Sequence, residues 1–158
     1  MSRFFWPDPD LSFLLGIKAT RKGEASYFVC HNNNILQLVG ENKTWRPATY
    51  EELGQFERVH EHYMGVLGGK ECFAVEVAEP GTAGFSNLRM NIQNIDRTLF
   101  NLAGRALQIC DWYRCHQFCG RCGEATTQNQ SDRSTVCAGC KLNFYPRLSP
   151  SIIVLVHK

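Results

Sequence analysis

Four cysteines constrain this chain more than any other feature. Cys119 and Cys122 are separated by two residues, fourteen residues follow, and Cys137 and Cys140 repeat the spacing. A tight turn aims both sulfurs of such a pair at one point. Two pairs supply the tetrahedral thiolate set that Zn²⁺ takes in structural sites. Gly120, Gly123 and Gly139 fill or follow the turns, where knuckles need positive φ. The competing explanation, two redox Cys-x-x-Cys motifs, requires a βαβ setting that the flanking sequence lacks. Four sulfurs leave no open position for water, so one structural zinc per chain is expected, and no residue is singled out as catalytic. Its removal should unfold roughly residues 118–145 and spare the N-terminal part.

The chain has eight cysteines in 158 residues. Cys30 and Cys72 lie in apolar, strand-like runs and read as small buried apolar groups. Cys110 lies on a helix. Cys115 and His116 are close enough in sequence to compete for the ion but lack the knuckle spacing. The opening "MSRFFWPDPD" puts two Asp before the short apolar run Leu11–Ile17, the wrong order for a secretory signal. No run approaches the roughly 18 apolar residues that cross a bilayer. A cytoplasmic protein with no membrane partner and reduced thiols is the expectation.

Apolar content of 44% and charged content of 20% fit a globular chain. From Trp112 onward there are six Lys/Arg against two Asp/Glu, and before it eleven against thirteen. The last third is therefore mildly basic, which suits either a phosphate contact or a solvated surface.

Residues 25–39, "ASYFVCHNNNILQLV", read as a hairpin turning at His31–Asn34. Thr49 and Glu52 form a capping box, with a short helix expected through about Val59. His60-Glu61-His62 would then sit at a helix end as solvated surface. "YMGVLGGKECFAVEVAE" reads as a second hairpin turning at Gly68-Gly69, with Phe73, Val75 and Val77 on one face. Ile95, Leu99, Leu102, Ala106, Ile109 and Tyr113 make one apolar helical stripe, with Arg97, Asn101, Arg105 and Gln108 opposite. Ile152–Val156 is a continuous apolar run with the signature of a strand buried on both faces.

The segment "WYRCHQFCGRCGEAT", the second knuckle and "NFYPRLSPSIIVLV" together resemble the NADH pyrophosphatase family of Nudix hydrolases. The preceding "LRMNIQNIDRTLFNLAGRALQICDW" is similar to the family's helix. The resemblance covers about residues 60–158 and, more loosely, the hairpins before them. It implies an α+β fold. A small domain of hairpins and helices with a long helix occupies 1–114, a four-cysteine zinc ribbon 115–146, and the first strand of a truncated Nudix domain 147–158.

The resemblance also implies that Tyr145, Arg89 and Asp132 contact a dinucleotide. Packing of Tyr145 against a following domain and simple exposure of Arg89 are the plainer alternatives. Arg147 matches a family position that sets the strand, and Ser149 falls where many members carry an acid. The implied whole enzyme is a homodimer using Mg²⁺ or Mn²⁺. It would hydrolyse the pyrophosphate of NADH or NAD⁺ to nicotinamide mononucleotide and AMP, and would remove NAD caps from RNA. Besides Ser149, the chain departs from the family decisively: the Gly-x5-Glu-x7-Arg-Glu-x2-Glu-Glu box that holds those cations is absent. Two other functions fit the same residues: a ribbon that grips nucleic acid, and a regulatory partner of a full-length enzyme.

Overall fold

A computed structural model describes residues 13–16, 19, 24–40, 43–91, 93–147 and 152–156. Ser149 and, of the run Leu11–Ile17, residues 11, 12 and 17 lie outside them. The chain divides into two compact units, Met1–Cys115 and His116–Lys158.

In the first unit the predicted hairpins form. β2 (Ala25–His31) turns through Asn32, at φ 52°, into β3 (Asn34–Leu36). β4 (Arg58–Leu67) turns at Gly68-Gly69 into β5 (Lys70–Val77). β1 (Phe13–Leu15) and β6 (Phe85–Ser86) complete one sheet in the order β1-β4-β5-β2-β3-β6. All its pairs are antiparallel except β2 with β5, which run parallel from Ala25 opposite Glu71 to Cys30 opposite Glu76. This parallel pair at the centre joins the two hairpins.

Both faces of that centre are covered, and alternation sorts the side chains. Phe28, Cys30, Cys72 and Ala74 point to the long helix α2 (Arg97–Cys115), meeting Leu102, Ala103, Ala106, Ile109 and Cys110. Tyr27, Val29, Phe73, Val75 and Val77 point the other way, toward Leu53 of α1 (Tyr50–Leu53). Cys30 and Cys72 are fully buried core groups, as expected, and Cys110 of α2 is fully buried with them.

α2 starts where Asp96 Oδ1 accepts the N–H groups of Thr98 and Leu99, at 2.8 and 3.1 Å. Ile95, just before this cap, packs on the core. The helix ends in an ion pair from Arg114 to Glu76 of β5.

Three expectations are corrected here. The capping box forms, but its helix stops at Leu53, and β4 has begun by Arg58. His60-Glu61-His62 is therefore strand, not helix end. His62 is buried, with its ring 4.6 Å from that of Tyr113. Long-range pairing with β5 decides the matter over local propensity. Arg105 does not stand in solvent opposite the apolar stripe. It is half-buried, with its guanidinium 5.9 Å from the Phe13 ring centre.

The second unit is a three-stranded ribbon of β7 (Thr126–Gln128), β8 (Thr135–Cys137) and β9 (Asn143–Phe144). Ile152–Val156, read as a strand, takes no strand pairing among the described residues, and each of its side chains is exposed. A strand needs a partner ladder, and no described residue supplies one.

Candidate metal centre

The two knuckles repeat one backbone pattern at an offset of eighteen residues. Gly123 N–H donates to the Cys119 carbonyl at 2.9 Å, and Lys141 N–H donates to the Cys137 carbonyl at 3.0 Å. Cys119 N–H returns to Glu124, and Cys137 N–H to Leu142, at 2.7 and 3.0 Å. Of the three glycines expected to need positive φ, only Gly123 takes it, and Lys141 takes it in the second knuckle.

This geometry brings Cys119, Cys122, Cys137 and Cys140 together, with all sulfurs within 4.8 Å of one another. Cys119 and Cys140 sulfurs are 3.4 Å apart, Cys122 and Cys137 3.4 Å, and Cys122 and Cys140 3.8 Å. A Zn–S bond of about 2.3 Å in a tetrahedron requires sulfur separations of about 3.8 Å. The donor set therefore fits zinc in chemistry and in size. Backbone N–H groups of Cys122 and Arg121 hold the Cys119 thiol down to about 6, near the thiolate form a metal needs. Cys140 is shifted up, by desolvation and by the adjoining Cys119 sulfur. A bound divalent cation overrides that by its own charge. Cys115 is exposed and, like His116, lies outside the sulfur cluster. The His116 carbonyl instead accepts the Thr126 hydroxyl at 2.5 Å.

The ribbon also joins two of the three residues assigned by resemblance to a ligand. The Tyr145 hydroxyl donates to Asp132 Oδ2 at 3.1 Å. The ring of Tyr145 is half exposed, at 52%. Ser134, not foreseen from sequence, is fully buried and donates to the other Asp132 oxygen from both its N–H and its hydroxyl. These bonds, Ser134's foremost, hold the Asp132 carboxyl below the usual range. Arg89 lies in the first unit, on a 3-10 turn Leu88–Asn91, with its N–H bonded to Asn87 Oδ1 at 3.0 Å.

The first unit has an open cavity of about 1020 Å³ on the α1 face, lined in part by Tyr27, Tyr50 and Phe73. The sequence reading did not foresee it. Its three cations are already engaged: Arg46 with Glu52, Arg58 with Glu61, Lys70 with Glu24. That leaves little unpaired positive charge for an anion.

Two family models match this chain. The one described as NADH pyrophosphatase-like rudimentary NUDIX domain matches residues 24–112, more than half of the chain. The chain belongs to the NADH pyrophosphatase-like Nudix family. The NADH pyrophosphatase zinc ribbon domain matches residues 114–145, which include all four clustered cysteines. Among curated proteins, the NAD-capped RNA hydrolase NudC of Pseudomonas fluorescens Pf0-1 is 40% identical over 124 residues, 77% of this chain and 45% of the relative. The NudC of Pseudomonas putida W619 is 37% identical over the same shares. That of Yersinia pestis Pestoides F is 28% identical over 142 residues, 90% of this chain and 52% of its own. The chain thus spans about half the length of the curated relatives it matches. No helix among the described residues is long and apolar enough to cross a membrane.

Proposed function

We propose that this chain supplies the N-terminal and zinc-ribbon parts of an NAD(H) diphosphatase. The whole enzyme hydrolyses the pyrophosphate of NADH or NAD⁺ to nicotinamide mononucleotide and AMP, and removes NAD caps from RNA. The pairing of a rudimentary Nudix unit with a four-thiolate ribbon carries this reading. The relatives' shared name, NAD-capped RNA hydrolase, supports the RNA substrate. Zinc holds the ribbon, and the ribbon presents Tyr145 and Asp132 to the dinucleotide. A ring offers a stacking face, and a fixed carboxylate accepts hydrogen bonds from ribose hydroxyls or amide N–H groups. Arg89 pairs with a phosphate.

The Mg²⁺ or Mn²⁺ of the whole enzyme finds no holder among the described residues. Those hard cations take oxygen ligands, and the one candidate cluster among the described residues is four sulfurs. No hydrolytic step is assigned to this chain's residues. The protein is proposed to work in the cytoplasm, and as a homodimer because the family resemblance implies one.

The test joins binding to turnover. The purified 18.0 kDa chain should quench or shift NADH fluorescence on titration and leave its pyrophosphate intact with Mn²⁺ present. Tyr145→Ala should abolish the fluorescence change. Turnover by the chain alone, or binding indifferent to Tyr145, contradicts the proposal. The intact mass from the natural source adds a second check: a larger product should carry the glutamate box and cleave NADH.

A ribbon that grips RNA directly is favoured by one observation. Phe118 and Tyr145 are exposed rings on a unit whose Arg121, Lys141 and Arg147 are exposed cations. Affinity for single-stranded RNA that does not fall with added salt rules it out.

A further inference from the structure

The turn between β7 and β8 carries a polar network that zinc binding does not require. Asn129 Oδ1 accepts the N–H and hydroxyl of Ser131, at 3.0 and 2.9 Å. Asn129 Nδ2 donates to the Ser134 hydroxyl oxygen at 3.2 Å, and Asn129 N–H donates to the Ser134 carbonyl at 2.9 Å. The Ser134 hydroxyl then donates to Asp132 Oδ1, beside the Ser134 N–H at 2.8 Å. One Asp132 oxygen is thus saturated from inside the ribbon, and the other faces Tyr145.

Strand register explains the meeting. Thr135 lies opposite Phe144 in the β8–β9 pair. Ser134 directly precedes Thr135 and Tyr145 directly follows Phe144, so both flank the same end of this antiparallel ladder. Asp132 and Tyr145, thirteen residues apart in sequence, meet because Ser134 folds the acid back over the strand end.

We propose that Ser134, held by Asn129, is a positioning residue that sets the Asp132 carboxylate and, through it, the Tyr145 ring. Its bearing on the ligand rests on the dinucleotide reading above. Two donors on Oδ1 fix the carboxylate's rotation, so Oδ2 stands ready beside an exposed ring. Such a pair recognises a flat base or nicotinamide ring joined to a hydrogen-bond donor, and repels a phosphate. Preorganisation of this kind raises affinity by removing the cost of ordering both side chains on binding.

The test compares wild type with Ser134→Ala and Ser134→Thr, zinc-loaded, by NMR. In Ser134→Ala the Asp132 carboxyl should titrate at higher pH, and the contacts between the Tyr145 ring and Asp132 should weaken. Ser134→Thr keeps the hydroxyl and should restore both. NADH affinity should fall about tenfold in Ser134→Ala and recover in Ser134→Thr, about what one charge-assisted hydrogen bond gives. An unchanged Asp132 titration with unchanged ring contacts overturns the proposal, as does a threonine that fails to rescue. Should Ser134→Ala release zinc, Asn129→Ala decides by the same two readouts, since it removes the Nδ2 support of the hydroxyl, together with the two bonds to Ser131, and leaves the hydroxyl itself in place. If the NMR readouts move as expected while wild type ignores NADH, the dinucleotide reading falls and the positioning role stands.

Discussion

Gly123 and Lys141 occupy the same place in the two knuckles and the same left-handed backbone region, at φ 78° and 59°. Each donates its N–H to the carbonyl of the first cysteine in its knuckle. Glycine takes this conformation freely, whereas a lysine carries steric strain on the order of 1 kcal/mol. The asymmetry predicts opposite responses at equivalent sites. Lys141→Gly should stabilise the zinc-loaded ribbon by about 0.5 kcal/mol, the relieved strain being partly offset by glycine's unfolded-state entropy. Gly123→Ala should destabilise it by about 1 kcal/mol. Zinc retention against a graded chelator series reads both.

Chelation itself should separate the two units. The ribbon's largest strand has three residues, and its buried apolar groups are few. Without the ion it lacks the burial to stay folded. The first unit has its own two-faced core and should remain. Hydrogen exchange after zinc removal should show rapid exchange from 116 to 145 and retained protection in β2, β5 and α2. Loss of protection in β5 would show that the units share one folding transition.

Local signals were legible in the sequence, and non-local ones were not. The cysteine spacing, the Gly68-Gly69 turn and the Thr49–Glu52 box each depend on residues a few positions apart, and all formed as read. His60-Glu61-His62 was misplaced because its strand exists only through β5, which lies after it in the chain. The parallel β2–β5 pair joins residues forty-six apart and leaves no local mark. The meeting of Asp132 with Tyr145 needed the ribbon register, and Ser134 looked like one polar loop residue among several. Ile152–Val156 has the composition of a buried strand, but burial depends on a partner that composition does not describe.

The capping box implies an acid-sensitive contribution to stability. Arg46 grips Glu52 with both guanidinium nitrogens, at 2.8 and 2.6 Å, and the Thr49 N–H adds a third bond at 2.9 Å. Arg46 first, with Thr49 aiding, pulls the Glu52 carboxyl down to about 2 from 4.5. A carboxyl depressed in the folded state stabilises it above the unfolded value, and that stability is lost as pH falls through the folded one. The window is therefore about pH 4.5 down to 2. Both side chains are about a third exposed, so screening leaves about 1 kcal/mol. Glu52→Gln should be less stable than wild type by that amount at about pH 6, with the gap closing by about pH 2. A gap that persists at the acid end contradicts this account.

The ion pair at the end of α2 should show strong coupling. Glu76 is nearly buried on β5, and Arg114 reaches it while also bonding Asp111 Oδ1 at 2.8 Å. Removing the cation alone leaves a carboxylate stranded in the core. Arg114→Met should cost about 3 kcal/mol in urea unfolding. Adding Glu76→Gln should recover more than half of it, because the stranded charge is gone. Additive losses in the double variant would mean that the pair contributes packing alone.

At Gly65, β4 lies close against β1, opposite Leu15. It follows a register shift between Tyr63 and Gly65, at φ 147°. A Cβ there would stand 2.2 Å from the Leu14 carbonyl oxygen and 2.8 Å from the tip of Phe13. The first obstacle is backbone, so no rotamer change relieves it. Gly65→Ala should therefore lose about 1–3 kcal/mol and push β1 off the sheet edge. Gly104 is the control. It sits inside α2, and a Cβ there would meet Leu88 at 3.7 Å, ordinary contact distance. Gly104→Ala should gain up to about 1 kcal/mol from helix propensity. Unfolding midpoints of the two variants should thus lie on opposite sides of wild type. The β1 amides of Gly65→Ala should exchange faster while those of β5 stay protected.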